Sequence, residues 1–397
     1  MILSKRAQSI NPSPTLSLTA RAKAMKAEGI DVIGFGAGEP DFDTPEHIKQ
    51  EAVKALSEGF TKYTPTGGIP ELKHAICRKF KEDNGLDYEP SQILVSCGAK
   101  HSIYNIIQVL CQEGDEVIVP APYWVSYPEQ INVAGATPVI IQTNEDTGFK
   151  ITPQALSDHI TSKTKLLILN SPSNPTGAVY SREDLQSLAE IVEKKGILVI
   201  SDEIYEKTIY DGIESMSIAS ISTAMKERTL VVNGVSKAYS MTGWRIGYTA
   251  GDAAVIGAMS NLQDHSTSNP TSISQKATLA ALTGTQEPVK QMVAEFEKRR
   301  NYMIEKLNRI PGISCLMPQG AFYAFTNISG LLGKAFNGKV ISNSMEMTEL
   351  LLLESKVAVI PGGPFGADNY IRLSYATSMD KIVAGLDRMH DLIAKIK

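Results

Sequence analysis

The chain predicts an α/β fold in which a mostly parallel central sheet is joined to a smaller α+β unit nearer its C-terminus. Three observations carry that expectation. Short, continuously apolar runs alternate with stretches of helical period up to about Thr283, the order that builds a sheet covered by helices. Beyond that point the pattern changes to one long charged helix followed by short strand candidates. The 397 residues, 43% hydrophobic and 21% charged, supply a core large enough for two domains.

In chain order, the N-terminal segment carries Pro12 and Pro14 and a helix near 19–29, and is expected to pack with the smaller unit. Strands are expected at 93–96, 116–120, 138–142, 165–170, 197–202, 229–233 and 246–250, most of them separated by helical stretches such as 183–194. A helix over 287–307 leads to strands near 322–326, 357–360 and 371–375 and to a terminal helix from Met379. The expected division is an arm and segment over 1–44, a large domain over 45–286 and a small domain over 287–397.

Composition excludes several classes of function. A net charge of -4, with no basic block and no histidine cluster, gives no footprint for nucleic acid or for a metal. The cysteines at 77, 97, 111 and 315 share no CxxC spacing and read as buried thiols of a reducing compartment, the cytoplasm by default. The N-terminus lacks the apolar core of a signal peptide, and no apolar run reaches membrane-spanning length.

Ligands of an open parallel sheet bind beyond the carboxyl ends of its strands. There the expected strands deliver Asn170-Ser-Pro-Ser-Asn174-Pro-Thr-Gly177, then Asp202 with Tyr205, then Lys237, and Cys97-Gly98-Ala99-Lys100 at the start of a helix. Singly, these read as a turn, a helix cap, a solvated lysine and core packing for Trp124 and Tyr127. Convergence at one sheet edge favours a site, because independent turns have no reason to supply an amide, a carboxylate, a phenol, a lysine and an arginine together. A lysine beside a carboxylate, a phenol and a phosphate site suits Schiff-base chemistry with an aldehyde cofactor.

The run Gly234-Val-Ser-Lys237-Ala-Tyr-Ser-Met-Thr-Gly243-Trp-Arg245-Ile-Gly247 resembles the pyridoxal-phosphate attachment motif of class I aminotransferases. The resemblance extends through Ala37-Gly38-Glu39-Pro40-Asp41-Phe42, Tyr63-Thr-Pro-Thr-Gly-Gly68, Tyr123-Trp-Val-Ser-Tyr127, Ser201-Asp202-Glu203-Ile204-Tyr205 and Arg372-Leu-Ser-Tyr-Ala376. Together these motifs are similar to the bacterial-type aspartate aminotransferases of fold type I. The resemblance implies pyridoxal 5′-phosphate held by Lys237, which would also carry the substrate proton, with Asp202 on the pyridinium nitrogen. Tyr205 and Asn174 would bond the phenolate oxygen and Trp124 would cover the ring. Gly98, Ala99, Ser236 and Arg245 would cradle the phosphate, joined by Tyr63 of the neighbouring subunit of a homodimer, while Lys100 stands beside the same anion.

For the substrate, the resemblance implies Arg372 and the Gly38 N–H on the α-carboxylate, and Lys100 with Ser13 and Thr15 on a distal carboxylate. Lys100 sits in a first helical turn, where a cation opposes the macrodipole unless an anion meets it. The implied reaction is ping-pong transamination between L-aspartate and 2-oxoglutarate, giving oxaloacetate and L-glutamate. Prephenate-active members carry a lysine where this chain has Asn11, which weighs against prephenate and leaves aspartate untouched. Alanine, aromatic or kynurenine transamination and C–S lysis use the same fold and cofactor and stay open. A dinucleotide-dependent dehydrogenase would need a G-x-G-x-x-G turn that Gly34-Phe-Gly36-Ala-Gly38 does not provide. A non-catalytic regulator on this fold would leave some of these positions unfilled.

Overall fold

A computed structural model describes residues 3–8, 10 and 14–397, those at 5, 6 and 14–19 by their backbone alone. The strands are β1 (Ile33–Gly34), β2 (Ile93–Ser96), β3 (Glu116–Ala121), β4 (Thr137–Gln142), β5 (Thr164–Asn170), β6 (Leu198–Asp202), β7 (Thr229–Gly234) and β8 (Gly247–Ala250). After the helix Glu287–Leu307 come β9 (Ser314–Cys315), β10 (Tyr323–Asn327), β11 (Ala335–Phe336), β12 (Lys339–Val340), β13 (Val357–Ala358), β14 (Ile360–Pro361) and β15 (Tyr370–Ser374).

A seven-stranded sheet runs in the order β2-β8-β7-β6-β5-β3-β4. Every pair from β7 across to β4 is parallel; β8 alone runs antiparallel to its neighbours β2 and β7. The strands are continuously apolar because both faces are covered. On β3 the alternation is visible residue by residue: Val117 and Val119 pack with Ile106, Ile107 and Ile131 on one face, and Ile118 packs with Leu188 and Val192 on the other. Each fully buried aliphatic side chain of this kind contributes about 1.5–3 kcal/mol. The helix Arg182–Lys195 shows why the connections are helical: Ser181 and Asp184 form a capping box, and Gly196 ends it in the left-handed region.

The second, antiparallel sheet has the order β14-β15-β10-β9 and is backed by Glu287–Leu307 and the terminal helix Met379–Ile393. The N-terminal segment joins this side of the molecule, as β1 pairs in parallel with β13.

Most expected elements lie within a residue of where the sequence placed them, and the differences have local causes. The N-terminal helix spans Pro14–Ala27 rather than starting near 19, and a proline is tolerated at a first helical position because its missing N–H has no intrahelical partner there. The strand expected at 357–360 divides into β13 and β14, which pair with different partners, β1 and β15. Of the four cysteines only Cys111 and Cys315 are buried; Cys77 and Cys97 are half-buried, so the expectation of four buried thiols is corrected. All four are free thiols.

Candidate active site

The sheet register brings the predicted residues to one edge. Asn170 is opposite Asp202 in the β5–β6 pair, Asp202 is opposite Val232 in β6–β7, and Gly247 faces both Gly234 and Ser96. The ends of β2, β5, β6 and β7 and the start of the antiparallel β8 therefore share one rim. This topology lets Arg245, just ahead of β8, reach the loop after β2.

That loop is shaped around the arginine. Gly98 has φ +93°, and a Cβ there would stand 2.4 Å from a terminal nitrogen of Arg245. Arg245 donates to the carbonyls of Thr242 at 2.9 Å and Cys97 at 3.2 Å. Gly247 is needed just as closely, because its Cβ would fall 2.2 Å from the Ala99 nitrogen. A glycine turn, the N-terminus of the helix Ala99–Leu110 and a guanidinium thus meet at one point, an arrangement that fits a phosphate. Ser236 is buried nearby in sequence to Lys237. Lys100 is exposed, with its ammonium 4.8 Å from the centre of the Trp124 ring.

Asp202 is fully buried at the end of β6 and accepts a hydrogen bond from the Tyr127 hydroxyl at 2.7 Å and one from the Ile204 N–H at 3.3 Å. Burial pushes its carboxyl up to about 6, against the opposing pull of these bonds and of Lys237. Part of the Lys237 side chain meets solvent, yet its Nζ lies deep in the cleft and donates to the Gly38 carbonyl at 2.5 Å. Desolvation brings the ammonium down to about 8; Glu39 and Asp202 work against that shift, while Arg372 and Arg245 add to it. An amine in that range is partly neutral, and so nucleophilic, near neutral pH.

On the other wall, Arg372 is buried on β15. It donates to Asn174 Oδ1 at 2.9 Å and to the Gly36 carbonyl at 3.0 Å, while its Nε has no partner. Among the described residues no carboxylate pairs with this guanidinium, so a buried charge stands ready for an anion from outside. With Oδ1 of Asn174 occupied, its Nδ2 is the group left to donate into the cleft. Asn170 fixes the loop by donating to the Asp202 carbonyl and accepting from the Asn174 N–H.

Sequence reasoning missed two tyrosines. Tyr127 reads singly as core packing and receives no role from the sequence, and its partnership with Asp202 spans 75 residues of chain. Tyr323 bonds the Tyr205 hydroxyl at 2.7 Å and lies under Arg372. The signal for Tyr323 was its place in an expected strand next to that of Arg372. Tyr63 stands apart, 91% exposed. Ser13 and Asn11 lie outside the described residues, and Thr15 is described by its backbone alone.

The residues present fit pyridoxal 5′-phosphate. The glycine cradle and Arg245 suit a phosphate, a buried carboxylate held by Tyr127 suits a pyridinium nitrogen, and a low-lying amine suits an aldehyde carbon.

The family model for Aminotransferase class I and II matches residues 30–388. The chain is 53% identical over 390 residues to an aspartate aminotransferase of Geobacillus stearothermophilus, covering 98% of each. It is 51% identical over 395 residues to that of Bacillus subtilis, covering 100% of each. Among solved structures, the aspartate aminotransferase of Rhizobium meliloti superposes with a TM-score of 0.97 at 44% identity, covering 100% of both chains.

Proposed function

The chain belongs to the class I and II aminotransferases, and from that premise we propose that it is a pyridoxal-phosphate-dependent aspartate aminotransferase, converting L-aspartate and 2-oxoglutarate to oxaloacetate and L-glutamate. The observation that carries the reading is the placing of Lys237 Nζ and the Asp202 carboxylate on the rim that also holds the Gly98–Arg245 cradle.

Bound there, the cofactor supplies an electron sink for the pair left when the substrate α-proton departs. Gly98, Ala99, Ser236 and Arg245 would hold its phosphate, with Lys100 adding charge at the same helix start. Asp202 would keep the ring nitrogen protonated, a task that Tyr127 supports by holding the carboxylate in one orientation. Tyr205 and Asn174 Nδ2 would donate to the phenolate oxygen, and Trp124 would cover one ring face. Lys237 Nζ would be the base that takes the proton from the substrate Cα and later gives it up. Its suppressed basicity suits an amine that must both accept and release a proton.

Arg372 would grip the α-carboxylate in a planar two-point contact, with the Gly38 N–H beside it. Lys100, together with Ser13 and Thr15, would take the distal carboxylate. Both substrates are dicarboxylates, so one pair of cations serves both half-reactions. Asn11 stands where prephenate-active members carry lysine, which leaves prephenate outside the expected range.

The same proposal divides the chain into a segment over 1–44, a large domain over 45–286 and a small domain over 287–397. Closure of the small domain over the substrate would exclude water, because Arg372 and Lys237 come from different sides of the cleft. The active unit is a cytoplasmic homodimer in which Tyr63 reaches the partner's phosphate site. Its near-complete exposure in the single chain supports that role, and among the described residues no helix is long and apolar enough to cross a membrane.

Initial rates on a panel of amino acids with 2-oxoglutarate test the substrate. Aspartate is expected to lead in kcat/KM; a preference for alanine or phenylalanine would defeat the assignment.

A further inference from the structure

We propose that Tyr323 is a positioning residue that couples the two walls of this site, its ring fixing the plane of Arg372 and its hydroxyl holding the Tyr205 phenol in line to donate. The inference rests on the reading above, in which Arg372 takes the substrate α-carboxylate and Tyr205 the cofactor's phenolate oxygen.

The strand register explains the first contact. In the antiparallel β10–β15 pair, Phe325 is opposite Arg372 and Tyr323 is opposite Ser374. Tyr323 and Arg372 are therefore diagonal neighbours on one face, within reach for a long side chain and an aromatic ring. The guanidinium carbon lies 4.4 Å from the centre of the Tyr323 ring and 5.1 Å from that of Phe365. Its hydrogen bonds go only to neutral oxygens, so the ring faces add to these two bonds in stabilising the charge while no carboxylate is bound.

The second contact concerns the hydroxyl. Tyr323 and Tyr205 are both fully enclosed, and burial holds both phenols above their ordinary range and so neutral at physiological pH. Of two neutral hydroxyls 2.7 Å apart, one donates and the other accepts. When Tyr205 donates to the phenolate oxygen, its own oxygen is free to accept, which makes Tyr323 the donor. A donor behind a donor strengthens the forward bond. The same hydroxyl lies 3.2 Å from where a Cβ on Gly38 would stand, so the segment carrying Gly36 and Gly38 packs on it as well. One side chain thus touches the carboxylate grip, the cofactor-facing phenol and the loop that follows β1.

The test uses Tyr323→Phe, which keeps the ring and deletes the hydroxyl, and Tyr323→Leu, which deletes both. Two readouts on the pyridoxal-phosphate-loaded proteins do not depend on turnover. One is the dissociation constant of succinate by calorimetry; the other is the pH midpoint of the visible absorption band. Loss of the hydroxyl weakens the bond that favours the ionised phenolate, so the protonated chromophore persists to higher pH. In Tyr323→Phe the midpoint is expected to rise by about half a unit, with succinate affinity within about twofold of wild type. In Tyr323→Leu the same rise is expected together with succinate binding weaker by about tenfold. A Phe variant that titrates as wild type, or a Leu variant that binds succinate as wild type, overturns the role. A wild type that binds no pyridoxal phosphate overturns the functional reading with it, whereas a loaded wild type matched by its variants overturns the role of Tyr323 alone.

Discussion

At the residue scale, Asp202 shows a binding group that costs stability until its partner arrives. Its carboxyl is pushed up to about 6 by burial, above its ordinary value of 3.8. The sign follows: between those two values the folded chain binds more protons than the unfolded one, so stability falls as pH rises through that window. Above pH 6 the full cost applies, roughly 2–3 kcal/mol for a shift of about two units, and below pH 4 it is absent. Asn in its place can keep the bond from the Ile204 N–H at its single carbonyl oxygen and donate its amide to the Tyr127 hydroxyl, and it carries no charge. Urea unfolding of the cofactor-free proteins should therefore find Asp202→Asn more stable than wild type at pH 7.5, with the gap closing near pH 4. The same variant should bind pyridoxal phosphate more weakly, since an amide cannot keep the ring nitrogen protonated. A variant less stable than wild type at pH 7.5, or a gap unchanged between the two pH values, would rule the explanation out.

At the element scale, the cradle is made by strand ends and a helix start rather than by any one side chain. Gly98 lies at φ +93° and ψ 158°, a conformation open essentially to glycine alone. Its missing side chain is what allows Arg245 to lie against the loop. Gly98→Ala should cost about 1–3 kcal/mol of stability from backbone strain. By displacing Arg245, it should also weaken pyridoxal-phosphate binding by about tenfold or more in a fluorescence titration. Unaltered affinity would mean that the cradle lies elsewhere.

The elements also show how far the sequence could be read. Continuously apolar runs locate the strands of a sheet covered on both faces, so β2 through β8 fall within a residue of expectation. Residues at their carboxyl ends then lie on one rim by topology alone, which is why Lys237, Asp202, Asn174 and Gly98 were legible. Tyr127 and Tyr323 were not, because an apolar setting reads as core and their hydroxyl partners lie 75 and 118 residues away. Pairing decides the rest: 357–361 is one extended run in sequence, and only its two different partners divide it.

At the scale of the whole molecule, the site is built from distant parts of the chain, with Arg372 bonded to Asn174 across the cleft and β1 paired with β13. Tyr63 contributes nothing to its own chain's rim in this arrangement, which is the basis for assigning it to the partner's. A mixture of Tyr63→Ala and Lys237→Ala proteins, unfolded and refolded together, tests that directly. Half the dimers would be hybrids with one intact site each, so about a quarter of wild-type activity should appear from two impaired parents. No gain over the parents would show that Tyr63 does not act in trans.

The central claim is that Lys237 binds pyridoxal phosphate covalently and passes the amino group of aspartate to it. The most direct measurement is the absorption spectrum of the purified protein before and after L-aspartate. A visible band that bleaches to a pyridoxamine-like band on adding aspartate, and is missing in Lys237→Ala, is the expected result. A wild-type protein that stays colourless after incubation with pyridoxal phosphate would contradict it.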